Sequence, residues 1–302
     1  MQIKPGLIML KYKKVTLTRI AALVFLVAFA ASCKKDGSTP VTYDSSKKVV
    51  ISDVKYGSDT SEKMDVYLPA GRSITATKIL VMVHGGSWNE GDKTDFNAAV
   101  DTLQVLLPDY AIFNINYRLS ANGHNLFPAA LNDVGLAIQY INSQAERYAV
   151  DTQKLVLGGA SAGAHLALLQ AYSKPGGNLK AAIDLFGPVD LTWLYNNHPV
   201  PQLARPVLIN FLGVSLEQDA QLYAQASPVT YISAATPPTI IFHGTADDVV
   251  PIEESIMLQA KLQSFNVPNS LITYAGEGHG WFDSNLTETY IKIAAFLKLY
   301  VE

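Results

Sequence analysis

Short apolar runs alternate with longer, partly polar stretches through most of this 302-residue chain. Residues 78–83, 111–117, 154–157, 181–186, 239–242 and 270–274 are nearly continuous in apolar side chains. Runs of that length predict strands buried on both faces. Two earlier runs, 49–54 and 63–68, flank the turn-forming Gly57-Ser58-Asp59-Thr60 and predict an antiparallel start. Between 127 and 141, Leu131, Val134, Ile138 and Ile141 recur every three or four residues, the spacing of an amphipathic helix. Further helical stretches fall near 252–265 and 287–300. Eight strands alternating with helices, without an internal repeat, predict an α/β fold: a mostly parallel sheet with helices on both faces. A long insert, about 191–231, carries Trp193, Tyr195, Pro199, Pro201, Pro206, Phe211 and Tyr223. It predicts either a small cap above the carboxyl ends of the strands or an ordinary pair of surface helices.

The first 32 residues differ in kind. Lys4, Lys11, Lys13, Lys14 and Arg19 form a basic leader with no acidic residue, and 20–32 is uncharged and mostly apolar. That core is shorter than the ~20 residues a membrane-spanning helix needs. It matches a signal peptide over 1–32. Cys33, the only cysteine, follows Ala30-Ala31-Ser32. This resembles a bacterial lipoprotein cleavage site, which implies a lipid on Cys33; ordinary cleavage nearby is the alternative. Residues 33–48 are polar and read as a flexible tether, followed by one catalytic domain over 49–302. The expected location is a bacterial cell envelope, with membrane contact through the anchor alone. The formal charge of -3 (23 basic against 26 acidic residues) becomes more acidic once the five leader cations are removed. No basic stripe or nucleic-acid motif occurs, which argues against nucleic acid as a partner. A single cysteine rules out an intrachain disulfide.

Candidate chemistry sits where the apolar runs end. Gly159-Ala160-Ser161-Ala162-Gly163 lies between a strand and a helix start, the position of a nucleophile elbow. Ser161 is the candidate nucleophile. His84-Gly85-Gly86-Ser87-Trp88 follows another strand. There, backbone N–H groups of Gly86 and Ser87, with that of Ala162, can face an oxygen that becomes negative during acyl transfer. His243-Gly244-Thr245-Ala246-Asp247-Asp248 offers two carboxylates after a strand, and either can orient a histidine. Gly278-His279-Gly280 places a histidine on a loop able to reach a serine, and imidazole titrates near neutrality, as a general base must. The order Ser161, Asp247, His279 is that of α/β hydrolases. His84 and His243 are expected to bond loop backbone, and His165 to pack beneath the elbow. His124 and His198 receive no role. Trp88 and Trp281 adjoin these loops, either as pocket walls or as packing. Arg118 and Asp133 form a candidate pair bracing the oxyanion loop. No metal-ligand or phosphate-loop pattern is present, and the chemistry calls for no cofactor.

With Asn116-Tyr117-Arg118-Leu119, these motifs resemble α/β-hydrolase-fold esterases of the His-Gly-Gly group, close to hormone-sensitive-lipase-like carboxylesterases. The similarity is strongest to bacterial esterases of the feruloyl or acetyl-xylan type and runs from about residue 50 to the end. It implies Ser161 as nucleophile, His279 as base and Asp247, the first of the aspartate pair, as its partner. Many relatives carry a third glycine where this chain has Ser87. The implied substrates are small-molecule or carbohydrate esters, acetyl or feruloyl. An exopeptidase, a formamidase and a non-catalytic binding protein are the alternatives.

Overall fold

The computed structural model describes residues 42–174 and 178–302. The expected signal peptide, Cys33 and the first part of the expected tether lie outside the described residues. Eight strands form one sheet: β1 (Val49–Lys55), β2 (Lys63–Leu68), β3 (Lys78–Val83), β4 (Tyr110–Ile115), β5 (Leu155–Ala160), β6 (Leu179–Leu185), β7 (Thr239–Gly244) and β8 (Asn269–Tyr274). Their spatial order is β1-β2-β4-β3-β5-β6-β7-β8. The two pairings made by β2 are antiparallel and all others are parallel. The predicted count, the mostly parallel sheet and the antiparallel start therefore hold.

Side chains alternate across the sheet, so each central strand feeds two cores. From β3, Ile79, Val81 and Val83 join one cluster, while Leu80 and Met82 join the other. The first face is covered by α2 (Ala129–Ser143), α4 (Ala162–Ser173) and α8 (Glu253–Ser264), through Leu131, Val134, Leu166 and Leu258. The short α3 (Ala145–Tyr148) adds Tyr148 to the same core. The second face is covered by α1 (Asn97–Leu106) and α9 (Asp283–Tyr300), through Val100, Leu103, Ile293 and Leu297. Fully burying one such side chain stabilises by about 1.5–3 kcal/mol. The insert folds as α5 (Leu191–Asn197), α6 (Pro201–Leu212) and α7 (Ala220–Gln225). Asp190 and Asp219 cap α5 and α7 by accepting backbone N–H groups of Trp193 and Leu222. Among the described residues no helix is long and apolar enough to cross a membrane.

The end of the expected tether is fastened down. Arg72, 4% exposed, uses its whole guanidinium on backbone carbonyls: Nε on Tyr148, Nη1 on Lys47 and Pro69, and Nη2 on Tyr43 and Asp44. Five donors in a planar fork match five acceptors from three separate segments. The Tyr43 ring stacks on Tyr148 at 6.3 Å. Folded structure thus begins before β1. Arg72→Ala leaves several buried carbonyls unpaired and is expected to cost on the order of 3 kcal/mol. A lowered melting temperature and new protease cleavage near residues 43–47 are the expected readouts, with Arg72→Lys restoring only part.

Candidate active site

β5 turns into α4 within a single residue. Ser161 takes φ 54°, ψ -123° and receives no side-chain cap role, so its hydroxyl stays available above the sheet. A Cβ on Gly163 would collide with the Val83 and His84 carbonyls, and one on Gly159 with the Gly163 backbone. Glycine at both positions is what lets helix and strands meet this closely. The Ser161 amide donates to Leu185 O at 2.8 Å, which ties the elbow to β6.

The loop after β8 brings His279 back over the elbow. Its Nε2 lies 2.8 Å from Ser161 Oγ and its Nδ1 2.8 Å from Asp247 Oδ2. The ring meets Phe186 edge-on at 4.8 Å. Asp247 has no side-chain exposure. Its Oδ1 accepts the amides of Val249 and Val250, both at 2.9 Å. Burial works against its charge, but hydrogen bonds from His243 and His279, the His279 interaction and the Val250 amide outweigh it. The carboxyl is held well below its ordinary range. Asp248 points elsewhere: it is exposed and borders the cavity beside Ser161. The structure thus separates the two aspartates that the residues alone left open.

The loop after β3 is strained. Gly86, Ser87 and Trp88 have φ of 102°, 51° and 61°. Two successive non-glycine residues in the left-handed region mark a conformation held in place by its surroundings. Among the described residues the Gly86 and Ser87 amides donate to no carbonyl. Ala162 is the first residue of α4, where an N–H has no partner within the helix. The stretch after β4 supports this loop. Ser120 N–H donates to Trp88 O at 2.8 Å, and Tyr117 stacks on His84 at 4.4 Å while its hydroxyl donates to His84 O. Arg118 grips the buried Asp133 with Nε and Nη2 at 2.6–3.1 Å, a tighter pair than a surface bridge. Beneath, His165 accepts the Trp88 indole N–H on Nδ1 at 3.2 Å and donates from Nε2 to Ala226 O at 2.7 Å. Burial lowers its pKa to about 4, so the ring is neutral.

A cavity of about 270 Å³ opens on Ser161. Its walls include Trp88, Pro188, Leu194, Leu203, Val207 and Leu208, so α5 and α6 roof the site. Trp281 is not part of it. Its ring packs against Phe186 and Tyr274, and its N–H donates to Thr289 Oγ1 at 2.8 Å. Two residues without a sequence assignment belong here. His198 joins the cavity wall, accepts Val200 N–H on Nδ1 and donates from Nε2 to Val249 O at 3.2 Å, so it links the roof to the Asp247 turn. Phe186, at the end of β6, has φ 49° and buttresses His279. A polar histidine in an insert and an aromatic ending a strand carry no pattern that singles them out.

The chemistry available is activation of a serine hydroxyl by an imidazole whose other nitrogen is fixed by a buried carboxylate, beside free amides. Among the described residues no cluster of three or more His, Cys, Asp or Glu side chains is placed to hold a metal ion.

Comparison with known proteins places the chain among relatives of known family. The sequence pattern of the BD-FAE family matches residues 64–262. Esterase LipC of Mycobacterium tuberculosis is 25% identical over 248 residues, covering 76% of this chain and 59% of LipC. The chain spans about half to three-fifths of the curated relatives it matches, 59%, 49% and 57% for three of them. Among solved structures, a bifunctional GH43-CE protein of Bacteroides eggerthii superposes with TM-score 0.72 at 27% identity, covering 84% of this chain and 38% of that one. Esterase 2 of Thermogutta terrifontis, phosphorylated by paraoxon, gives 0.64 at 25% identity, covering 83% and 93%.

The loop joining β6 to α5 is held by a buried acid. Glu254 Oε2 accepts the amides of Val189 and Asp190 at 2.8 Å, and its Oε1 has no partner among the described residues. Burial, reinforced by Asp190 and Asp184 and only partly offset by those amides, pushes its pKa up to about 8. A carboxyl whose folded pKa exceeds its ordinary 4.5 stabilises the fold fully below that value, and the stabilisation is lost as pH rises through about 8. Glu254→Gln keeps the acceptor and cannot ionise. Its melting temperature should match wild type in acid and exceed it by several degrees on the alkaline side, as thermal unfolding across pH would show.

Proposed function

The chain belongs to the BD-FAE family, and from that premise we propose that it is a serine carboxylic-ester hydrolase. The observation that carries the reading is the continuous contact from Asp247 through His279 to Ser161. In the first step Ser161 Oγ attacks the ester carbonyl carbon while His279 Nε2 takes its proton. The oxyanion is held by the N–H groups of Gly86, Ser87 and Ala162. His279 then protonates the departing alkoxide, leaving an acyl-serine. Water, deprotonated by the same imidazole, attacks that ester and releases the acid. Asp247 stays ionised and stabilises the imidazolium in both halves.

Substrate class follows from the cavity and the neighbours. The wall beside Ser161 is mainly aliphatic, with polar edges at Asp248, His198 and Ser87. An apolar acyl or aryl group fits such a chamber, and an acetyl group would fill little of it. The GH43-CE neighbour and a second described as a truncated carbohydrate esterase from gut microbiota favour a carbohydrate ester. We read the substrate as a sugar carrying a bulky acyl such as feruloyl, with α5 and α6 acting as the cap. Export with a lipid on Cys33 completes the proposal. Residues 43–47 join the domain beside the start of β1, which pairs with the end of β2, at the opposite end of the parallel strands from Ser161.

Ser161→Ala should abolish hydrolysis of p-nitrophenyl esters without altering the melting temperature, and retained activity would refute the assignment. Asp247→Asn should lower kcat by about 10⁴-fold, and Asp248→Asn far less. In a panel of acetyl, butyryl, octanoyl and feruloyl esters, run beside dipeptide amides, the acetyl ester and the amides should show the lowest kcat/KM. Cys33→Ser should move the protein from the membrane to the soluble fraction in cell fractionation.

A further inference from the structure

Asp247 Oδ2 is shared by two imidazoles. His279 Nδ1 lies 2.8 Å away and His243 Nε2 lies 3.2 Å away. His243 belongs to β7 and is entirely buried. Its hydrogen pattern is determined by its partners. Nε2 faces two acceptors, the Asp247 carboxylate and Val250 O at 2.8 Å, so this nitrogen carries a proton. Nδ1 lies 2.7 Å from Ser255 Oγ on α8, and in a neutral ring it accepts the hydroxyl proton. Serine, histidine and aspartate thus form a second relay behind the first, running from α8 through β7 to the acid.

All four donors to Asp247 then have separate tasks. The amides of Val249 and Val250 hold Oδ1. They restrain Oδ1 and, through the planar carboxyl group, the rotation about the Cβ–Cγ bond, and the contacts to Oδ2 restrain that rotation from the other side. During the reaction the His279 contact changes character as that ring gains and loses a proton. The His243 contact does not involve the reacting groups and persists throughout. It is therefore the restraint on Oδ2 that stays constant while His279 gains and loses its proton.

We propose that His243 is a positioning residue for the hydrolysis described above: fixed by Ser255 as the Nε2–H tautomer, it holds the plane of the Asp247 carboxylate for His279. The inference rests on the ester-hydrolase reading. His243 touches neither substrate nor the reacting atoms and acts only through Asp247.

The test uses the full chain with p-nitrophenyl butyrate. Hydrolysis by wild type, lost in Ser161→Ala, first secures the reaction; without it the ester-hydrolase reading fails, whatever His243 does. His243→Phe fills the ring volume without a donor, and His243→Gln returns an amide donor near the position of Nε2. The Phe variant should lose ~10–100-fold in kcat, the scale of a small misplacement of a catalytic group, with KM within about twofold. The Gln variant should recover most of that loss at a comparable melting temperature. Equal kcat in a folded Phe variant, or a Gln variant no better than Phe, would overturn the proposal. Should the Phe variant not fold, nitrogen-15 NMR of wild type decides: a protonated Nε2 and bare Nδ1 on His243 sustain the proposal, and the opposite tautomer ends it.

Discussion

The architecture depends on one close approach, where β5, α4 and the end of β3 crowd together at Ser161. Gly163 lies against the Val83 carbonyl and Gly159 against the Gly163 backbone, with no space for a Cβ on either. The chain reverses from strand to helix in one left-handed residue, which for serine costs on the order of 1–2 kcal/mol. The result is a hydroxyl projecting from the sheet beside the unpaired first N–H of a helix. The loop after β3 must rise over the same point, which explains its run of positive φ angles from Gly86 to Trp88.

The reacting side chains and the ring that stops His279 each follow the carboxyl end of a neighbouring strand. Ser161 follows β5, Phe186 follows β6, Asp247 follows β7 and His279 follows β8. Strands lie about 4.8 Å apart, so β5 and β8 are separated by roughly 14 Å. His279 has to return across that distance. Gly276 and Gly280, with φ of 79° and 114°, permit the turn. Phe186 and the Asp247 carboxylate occupy the intervening ground and decide where the imidazole stops. A flexible loop alone would not place Nε2 at 2.8 Å from the serine; the two intermediate strands do.

Periodicity revealed the middle of the sheet because β3 to β7 are buried on both faces and read as nearly unbroken apolar runs. It did not reveal α1, whose buried Ala99, Val100 and Leu103 are too few to stand out from the adjoining loop. The three side chains in contact were legible because glycines mark the turns that carry them. The division of labour between Asp247 and Asp248 was not legible from the residues, since it depends on which carboxylate lies over the Val249 and Val250 amides. The tether illustrates the same limit. Its polar composition signals solvent, yet Arg72 binds the backbone of Tyr43, Asp44 and Lys47 rather than their side chains, so composition carries no trace of the contact. His198 and Phe186 were missed for a related reason: their importance comes from neighbours distant in sequence.

Strain gathers around the cavity. Among the described residues, apart from asparagine and aspartate, which tolerate the left-handed region, and Ala149 at a helix end, the non-glycine residues with positive φ are Ser87, Trp88, Ser161 and Phe186. Each represents roughly 1–3 kcal/mol held against the fold. Asp184 and Glu254 are buried with one oxygen each lacking a partner among the described residues, and burial pushes the Asp184 carboxyl up to about 7. The two hydrophobic layers offset these costs, because strained residues at strand ends adjoin a core that does not yield. Relieving one of them, for instance by glycine at Phe186, would ease the backbone while removing the ring that stops His279. The ring's packing against Trp281 and His279 would be lost with it, so the eased backbone brings no net gain, and the strain persists where the ring it carries is needed.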